Sequence, residues 1–172
     1  MRLILCLLLC GFCVSGALAQ AANDDRVALK DAPLPSQVRK DIAAAVAGDF
    51  SLTSLVSFPK LTPSGKGTIL VTGGPDDPAN GATGNGDIWL FRRVGNHAVL
   101  ILKGGGSGYG PTGAAYHNGM HDFQTAWNMS CCNGGVEVYR YNGQRYKPAY
   151  CYSYETDDDG NMKEGPHGRC EE

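Results

Sequence analysis

Apolar and polar positions divide this chain into one stretch of helical period and a longer series of short extended runs. In "LPSQVRKDIAAAVAGD", Val38, Ile42, Ala45 and Val46 recur at helical spacing, with Ser36 as N-cap and Gly48 as the stop. Arg39 stands where Glu or Gln would close a capping box, so the start rests on Ser36 alone. Beyond Gly48 the period shortens. The runs "SLTSLVSF", "GTILVTG", "DIWLFRR", "HAVLILK", "DFQTAWNM", "GVEVYRY" and "QRYKPAYCYSY" are bounded by Gly, Pro, Asn and Asp, which predicts strands. The expected fold class is mainly β, an antiparallel sheet or sandwich of about seven strands with one N-terminal helix. Two glycine-rich stretches interrupt the strands, "GGPDDPANGATGNGD" from Gly73 and "GGGSGYGPTGAAYHNG" from Gly104. Connections of that length are functional or disordered.

The chain start bears on compartment. "MRLILCLLLCGFCVSGALA" joins Arg2 to an apolar run from Leu3 to Val14 and a small-x-small end at Ala17-Leu18-Ala19, the layout of a secretory signal peptide. The run falls short of the about 20 apolar residues that a membrane span needs. A secreted or periplasmic product that does not span the membrane is expected. Cys10 follows Leu9 and Cys13 follows Phe12, neither of which is a lipoprotein context. The expected organisation is a signal peptide over 1–19, a flexible N-terminal segment over 20–33, and a single disulfide-stapled β-rich domain over 34–172. Loss of Arg2 from 15 basic residues leaves 14 against 17 acidic ones, with no basic run, which excludes nucleic acid as a partner.

Cleavage would also remove Cys6, Cys10 and Cys13, leaving Cys131, Cys132, Cys151 and Cys170. In an oxidising compartment an even set reads as disulfides. Asn142-Gly143 is a strong hairpin signal, and a two-residue turn there pairs Tyr141 with Gln144, Tyr139 with Tyr146 and Val136 with Ala149. Continued along the strands, this register sets Cys132 diagonal to Cys151 on one face and turns Cys131 to the other. The expected bridges are Cys132 with Cys151 and Cys131 with Cys170, with the partners exchanged if a bulge falls at Gly134-Gly135. Pro148 has no N–H to donate, so its position must lie at an edge or face outward.

Several segments carry candidate chemistry. "GYGPTG" matches G-x-G-x-x-G, yet Pro111 lies inside it and no helix follows to present amides to a phosphate. "HNGMHD" supplies His117, His121 and Asp122, side chains that ligate zinc or act as acid and base. Asn118-Gly119 between the histidines makes a turn, which favours exposed turn histidines over a metal-binding helix face. "ETDDDGNMKEG" fails as an EF-hand, because aligning Gly160 with its glycine puts Pro166 where a bidentate glutamate belongs. It reads as a solvated acidic turn, with Asp157, Asp159 and Asn161 as weak calcium candidates. His97 and His167 stand alone, and no cofactor is implied. By the hairpin register, Tyr139, Tyr141, Tyr146 and Tyr150 share a face beside Arg140, Arg145 and Lys147. Such rings either cover a core or form a platform. The candidate binding set is Tyr139, Tyr141, Tyr146, Arg145 and, from the second glycine-rich stretch, Tyr109.

From "DIWLFRR" through "VLILKGGGSGYG", "HNGMHDFQTAWNMS" and "VEVYRYNGQRYKPAYCY", roughly residues 87 to 154, the chain resembles uncharacterised secreted bacterial β-rich proteins with an Asn-Gly-x-x-Asp turn and a Tyr-rich C-terminal hairpin. It is also similar to degenerate FG-GAP repeats, although "YHNGMHD" lacks the acidic run that binds calcium there. The resemblance implies β structure and assigns no activity. The first functional expectation is an exported non-enzymatic module that binds a protein or glycan in the envelope or outside the cell, or inhibits a hydrolase. The alternative is a small secreted hydrolase or metal-dependent enzyme, which requires His117, His121 and Asp122 to converge.

Overall fold

The computed structural model describes residues 26–46, 54–73, 85–130 and 132–170. The expected leader, the Gly48 stop, most of the stretch after Gly73 and Cys131 lie outside these residues. The protein is mainly β. Strands β1 (Val27–Ala28), β2 (Leu55–Ser57), β3 (Thr68–Thr72), β4 (Gly86–Val94) and β5 (His97–Gly106) form one antiparallel sheet in chain order. Strands β6 (Gly108–His117), β7 (Met120–Asn128), β8 (Asn133–Tyr141), β9 (Tyr146–Thr156) and β10 (Met162–Glu164) form a second. Among the described residues the single helix α1 (Ser36–Val46) follows β1, so it is not the first element.

The ten strands among the described residues exceed the seven expected by β1, β6 and β10. Each addition is an edge strand of its sheet or pairs at one, where alternation of apolar residues is not required. Within the expected N-terminal segment 20–33, the described residues 26–33 contain β1: Val27 pairs with Val56, and Ala32 is buried against α1 and the first sheet. The stretch from Gly104, expected to be a loop, is the end of β5 and the whole of β6. Pro111 is tolerated in β6 because that strand is the sheet edge. The glycines there serve close approach. A Cβ on Gly106 would run into the Ala126 carbonyl, and the chain crosses from one sheet to the other at that point, where the Ser107 N–H donates to the Ala126 oxygen at 2.8 Å.

Three layers result. On one face of the first sheet Ile69, Val71, Trp89 and Phe91 pack against Val38, Ile42 and Val46 of α1. An 11-residue helix is marginal alone, and burying each of these side chains contributes about 1.5–3 kcal/mol, so packing holds it. Ser36 lies inside the helix rather than capping it, and the Pro35 carbonyl accepts from the Arg39 N–H at 3.1 Å. On the other face Leu70, Ile88 and Leu90 meet Phe123, Tyr139, Tyr141 and Tyr146 of the second sheet. The first sheet is covered on both sides, which is why all five positions of β3 are buried.

The β8–β9 register differs from expectation. Tyr141 pairs with Tyr146 across a four-residue turn, in which the Asn142 Oδ1 accepts the Gln144 and Arg145 N–H groups, each at 2.9 Å. A bulge between Val138 and Tyr139 shifts the remainder again, so Cys151 faces Glu137 and Tyr152 faces Val136. Cys132 is therefore displaced to the strand end, where its carbonyl accepts from the Thr156 N–H at 2.7 Å. Cys151 and Cys170 bond to each other, which overturns the expected pairing of Cys132 with Cys151 and of Cys131 with Cys170. The tail reaches Cys151 because it runs along β9: Gly165 donates to Ser153, and Gly168 and Cys151 exchange two backbone bonds of 2.9 Å. Pro148 lies in the part of β9 beyond this pairing, which is locally an edge.

Candidate functional site

Strand alternation gives the second sheet an inner face toward the first sheet and an outer face away from it. The tyrosines expected to form a platform divide between the two. Tyr139, Tyr141 and Tyr146 are buried in the inner core, with exposures of 6%, 2% and 3%. Their hydroxyls are used internally: Tyr139 donates to Glu137 Oε2 at 2.6 Å, Tyr141 to the Gly143 carbonyl at 2.9 Å and Tyr146 to the His121 carbonyl at 2.7 Å. Burial pushes the Tyr139 and Tyr146 phenols well above the ordinary tyrosine value, with the Glu137 charge adding to the first and that of Asp122 to the second. Tyr109 is half-buried at the margin of the same core and accepts a 3.3 Å bond from Arg26 Nη1. Arg145 is exposed in the β8–β9 turn. These five residues form no shared surface.

The outer face carries what the inner one lacks. Tyr150 and Tyr152 are half-buried on Ala126, Val136 and Val138, and the tail lays His167 over both. The His167 ring lies 5.0 Å from Tyr150 at 12° and 4.7 Å from Tyr152 at 19°, while the two tyrosine rings are 6.4 Å apart at 24°. Three near-parallel rings thus make a ledge. Glu164 borders it, 3.3 Å from His167 Nε2, and raises the Tyr152 phenol after the larger effect of burial. Farther along, Tyr154 lies over Gly134, where a Cβ would collide with its ring, and donates to Asn128 Oδ1 at 2.6 Å. Gly135 similarly makes room for the Trp127 indole.

The other candidate cluster lies at the β6–β7 hairpin. Asn118 and Gly119 both take positive φ, 50° and 82°, which closes the tight turn. The turn brings His117 Nδ1 to 2.8 Å from Asp122 Oδ1. Arg140 on β8 donates to Asp122 Oδ2 through two nitrogens at 3.3 and 3.4 Å. Asp122 itself is 9% exposed, so its charge is held by these two partners. His121 does not join them. It immediately precedes Asp122 on an extended strand and so points to the opposite face, where its ring meets Tyr116 at 3.8 Å and its buried Nδ1 has no hydrogen-bond partner. Among the described residues, His117, His121 and Asp122 do not converge as a metal-ligating group. In the acidic turn the Asp157 Oδ1 is taken by the N–H groups of Asp159 and Asn161, at 3.1 and 2.9 Å, which holds that carboxyl below its ordinary value.

His167, expected to stand alone, meets Tyr150, Tyr152 and Glu164 because the tail folds back on β9, which nothing in the spacing announces. Tyr150, expected on one face with Tyr139, Tyr141 and Tyr146, is turned outward beside Tyr152 by the bulge between Val138 and Tyr139. No family model, curated protein or solved structure matches this chain. No helix among the described residues is long and apolar enough to cross a membrane.

Proposed function

We propose that this is an exported, non-enzymatic binding module and that its ligand is a glycan held on the Tyr150–Tyr152–His167 ledge. The ledge is the observation that carries the reading. Near-parallel half-exposed rings offer flat apolar faces to the C–H faces of sugar rings, and stacking of this kind needs no deep pocket. Glu164 and the Tyr150 and Tyr152 hydroxyls border the rings with hydrogen-bonding groups for sugar hydroxyls. The disulfide between Cys151 and Cys170 fits an oxidising compartment, which supports the exported part of the proposal together with the signal-like start of the chain. The enzymatic alternative draws no support from the geometry, because its three residues lie on two faces of a hairpin.

Co-sedimentation of the purified protein with insoluble β-glucan, chitin and peptidoglycan tests the proposal. The protein should pellet with at least one polymer, and the Tyr150→Ala/Tyr152→Ala variant, verified as folded by circular dichroism, should stay in solution. Equal pelleting of both proteins, or no pelleting with any polymer, overturns the glycan reading.

A further inference from the structure

Where the tail is tied to β9, a carboxylate stands beside the two sulfurs. Glu137 and Cys151 face each other across β8 and β9, and Cys170 arrives from the tail. A ligand atom from each of the three lies within 4.8 Å of the others, and all three residues are half-buried. Tyr139 fixes the carboxylate from behind, donating to Glu137 Oε2 at 2.6 Å. A disulfide has no proton to donate, so its sulfurs do not explain why a carboxylate is held against them.

We propose that reduction of the Cys151–Cys170 disulfide converts this cluster into a zinc site, with two thiolates and the Glu137 carboxylate as ligands. A dithiol reductant gives up two electrons and two protons, becoming a disulfide itself, and leaves two thiols on the protein. Zinc then displaces both thiol protons, and its two positive charges offset most of the three negative charges brought together. Two sulfurs and one oxygen from three backbone segments suit a tetrahedral zinc with one position open to water, and thiolate ligands disfavour magnesium and calcium. The segments are already registered by the β8–β9 ladder and by the two Cys151–Gly168 backbone bonds, so the backbone can stay while side-chain rotations move the two sulfurs apart to share the ion. The tyrosine behind the carboxylate is the kind of outer partner that orients a ligand. Bound zinc would keep the tail against β9 after the covalent tie is gone. Cys151 alternates with Tyr150 and Tyr152 and so faces the other side of β9, and the metal assignment does not depend on what the ledge binds.

The test uses the protein without residues 1–19, the expected leader with Cys6, Cys10 and Cys13, and with Cys131→Ser and Cys132→Ser, so that no other thiols compete, reduced and freed of reductant under nitrogen. Zinc titration against a chromophoric chelator should give one ion per chain, with affinity rising as pH is raised. Cobalt(II) in place of zinc should give a thiolate-to-metal charge-transfer band. Glu137→Gln should weaken zinc binding by at least about tenfold, and Tyr139→Phe, which removes no ligand, by about tenfold. The oxidised protein should bind no zinc at the same concentrations. Zinc affinity no higher than that of a further Cys151→Ser/Cys170→Ser variant, or unchanged by Glu137→Gln, overturns the assignment.

Discussion

The two faces of the second sheet use the same residue to opposite ends. Inward, Tyr139, Tyr141 and Tyr146 fill the space against the first sheet, and their hydroxyls donate to Glu137, Gly143 and His121. Outward, Tyr150 and Tyr152 lie half-open with a histidine ring over them. Tyrosine content alone cannot distinguish a core from a platform. The deciding feature is one bulge between Val138 and Tyr139, which changes the phase of alternation between the turn and the rest of the hairpin. It divides a tyrosine-rich hairpin into a structural half and an accessible half.

The largest effect that would expose this division comes from truncation on the inner side. Tyr146→Ala removes a ring packed against Tyr141 at 5.4 Å and Phe123 at 6.1 Å. It should destabilise the protein by about 3–5 kcal/mol in urea unfolding, the range for large aromatic truncations in cores. A loss below about 1 kcal/mol would mean that this face is not a core. Next comes the tie on the outer side. Cys151 and Cys170 are 19 residues apart, and Cys151→Ser/Cys170→Ser should cost about 2–4 kcal/mol. Polymer binding should fall with it, because His167 is held by the same tail.

Alkaline pH gives a third contrast. The Tyr139 and Tyr146 phenols are raised in the folded protein, first by burial, so the folded state retains protons that the unfolded chain loses near the ordinary tyrosine value of about 10. Their contribution is complete below that value and is lost as pH rises above it. Denaturant midpoints should therefore hold up to about pH 10 and fall beyond it. Tyr146→Phe should flatten the fall, at the expense of the hydroxyl bond to His121, worth about 0.5–1.5 kcal/mol. A fall of equal steepness in that variant would remove Tyr146 from the account.

Strands whose apolar pattern reflects burial could be read directly from the sequence, as could the Asn118-Gly119 turn and the helix over Val38, Ile42 and Val46. What escaped has physical reasons. The β6 edge strand tolerates Gly and Pro because it is exposed along one side, so it carries none of the alternation by which strands are recognised. Asn142-Gly143 signals a two-residue turn, but the Asn142 side chain caps the N–H groups of Gln144 and Arg145 and stabilises a four-residue one, moving every partner beyond it. The disulfide pairing failed with that register. The ledge was not legible: the hairpin register grouped Tyr150 with Tyr139, Tyr141 and Tyr146 until the bulge turned it outward, and His167 reaches it through tail pairing that no local signal encodes.

The smallest effect is the sharpest test of how the outer face is built. Tyr152 and His167 stack 4.7 Å apart, and Tyr152 is only half-buried, so Tyr152→Ala alone should cost about 1 kcal/mol or less. If His167 is held on the ledge by its rings, the costs of Tyr152→Ala and His167→Ala will not add. A double-mutant cycle in urea should give a coupling of about 0.5–1.5 kcal/mol, the value of an aromatic pair beyond its area. The disulfide stays intact in all four proteins, so the coupling isolates the ring contact from the tie. Additive costs would mean that the tail merely places the histidine nearby. The ledge would then lack the fixed geometry that a stacking ligand needs, and the functional contrast between the two faces would rest on Tyr150 and Tyr152 alone.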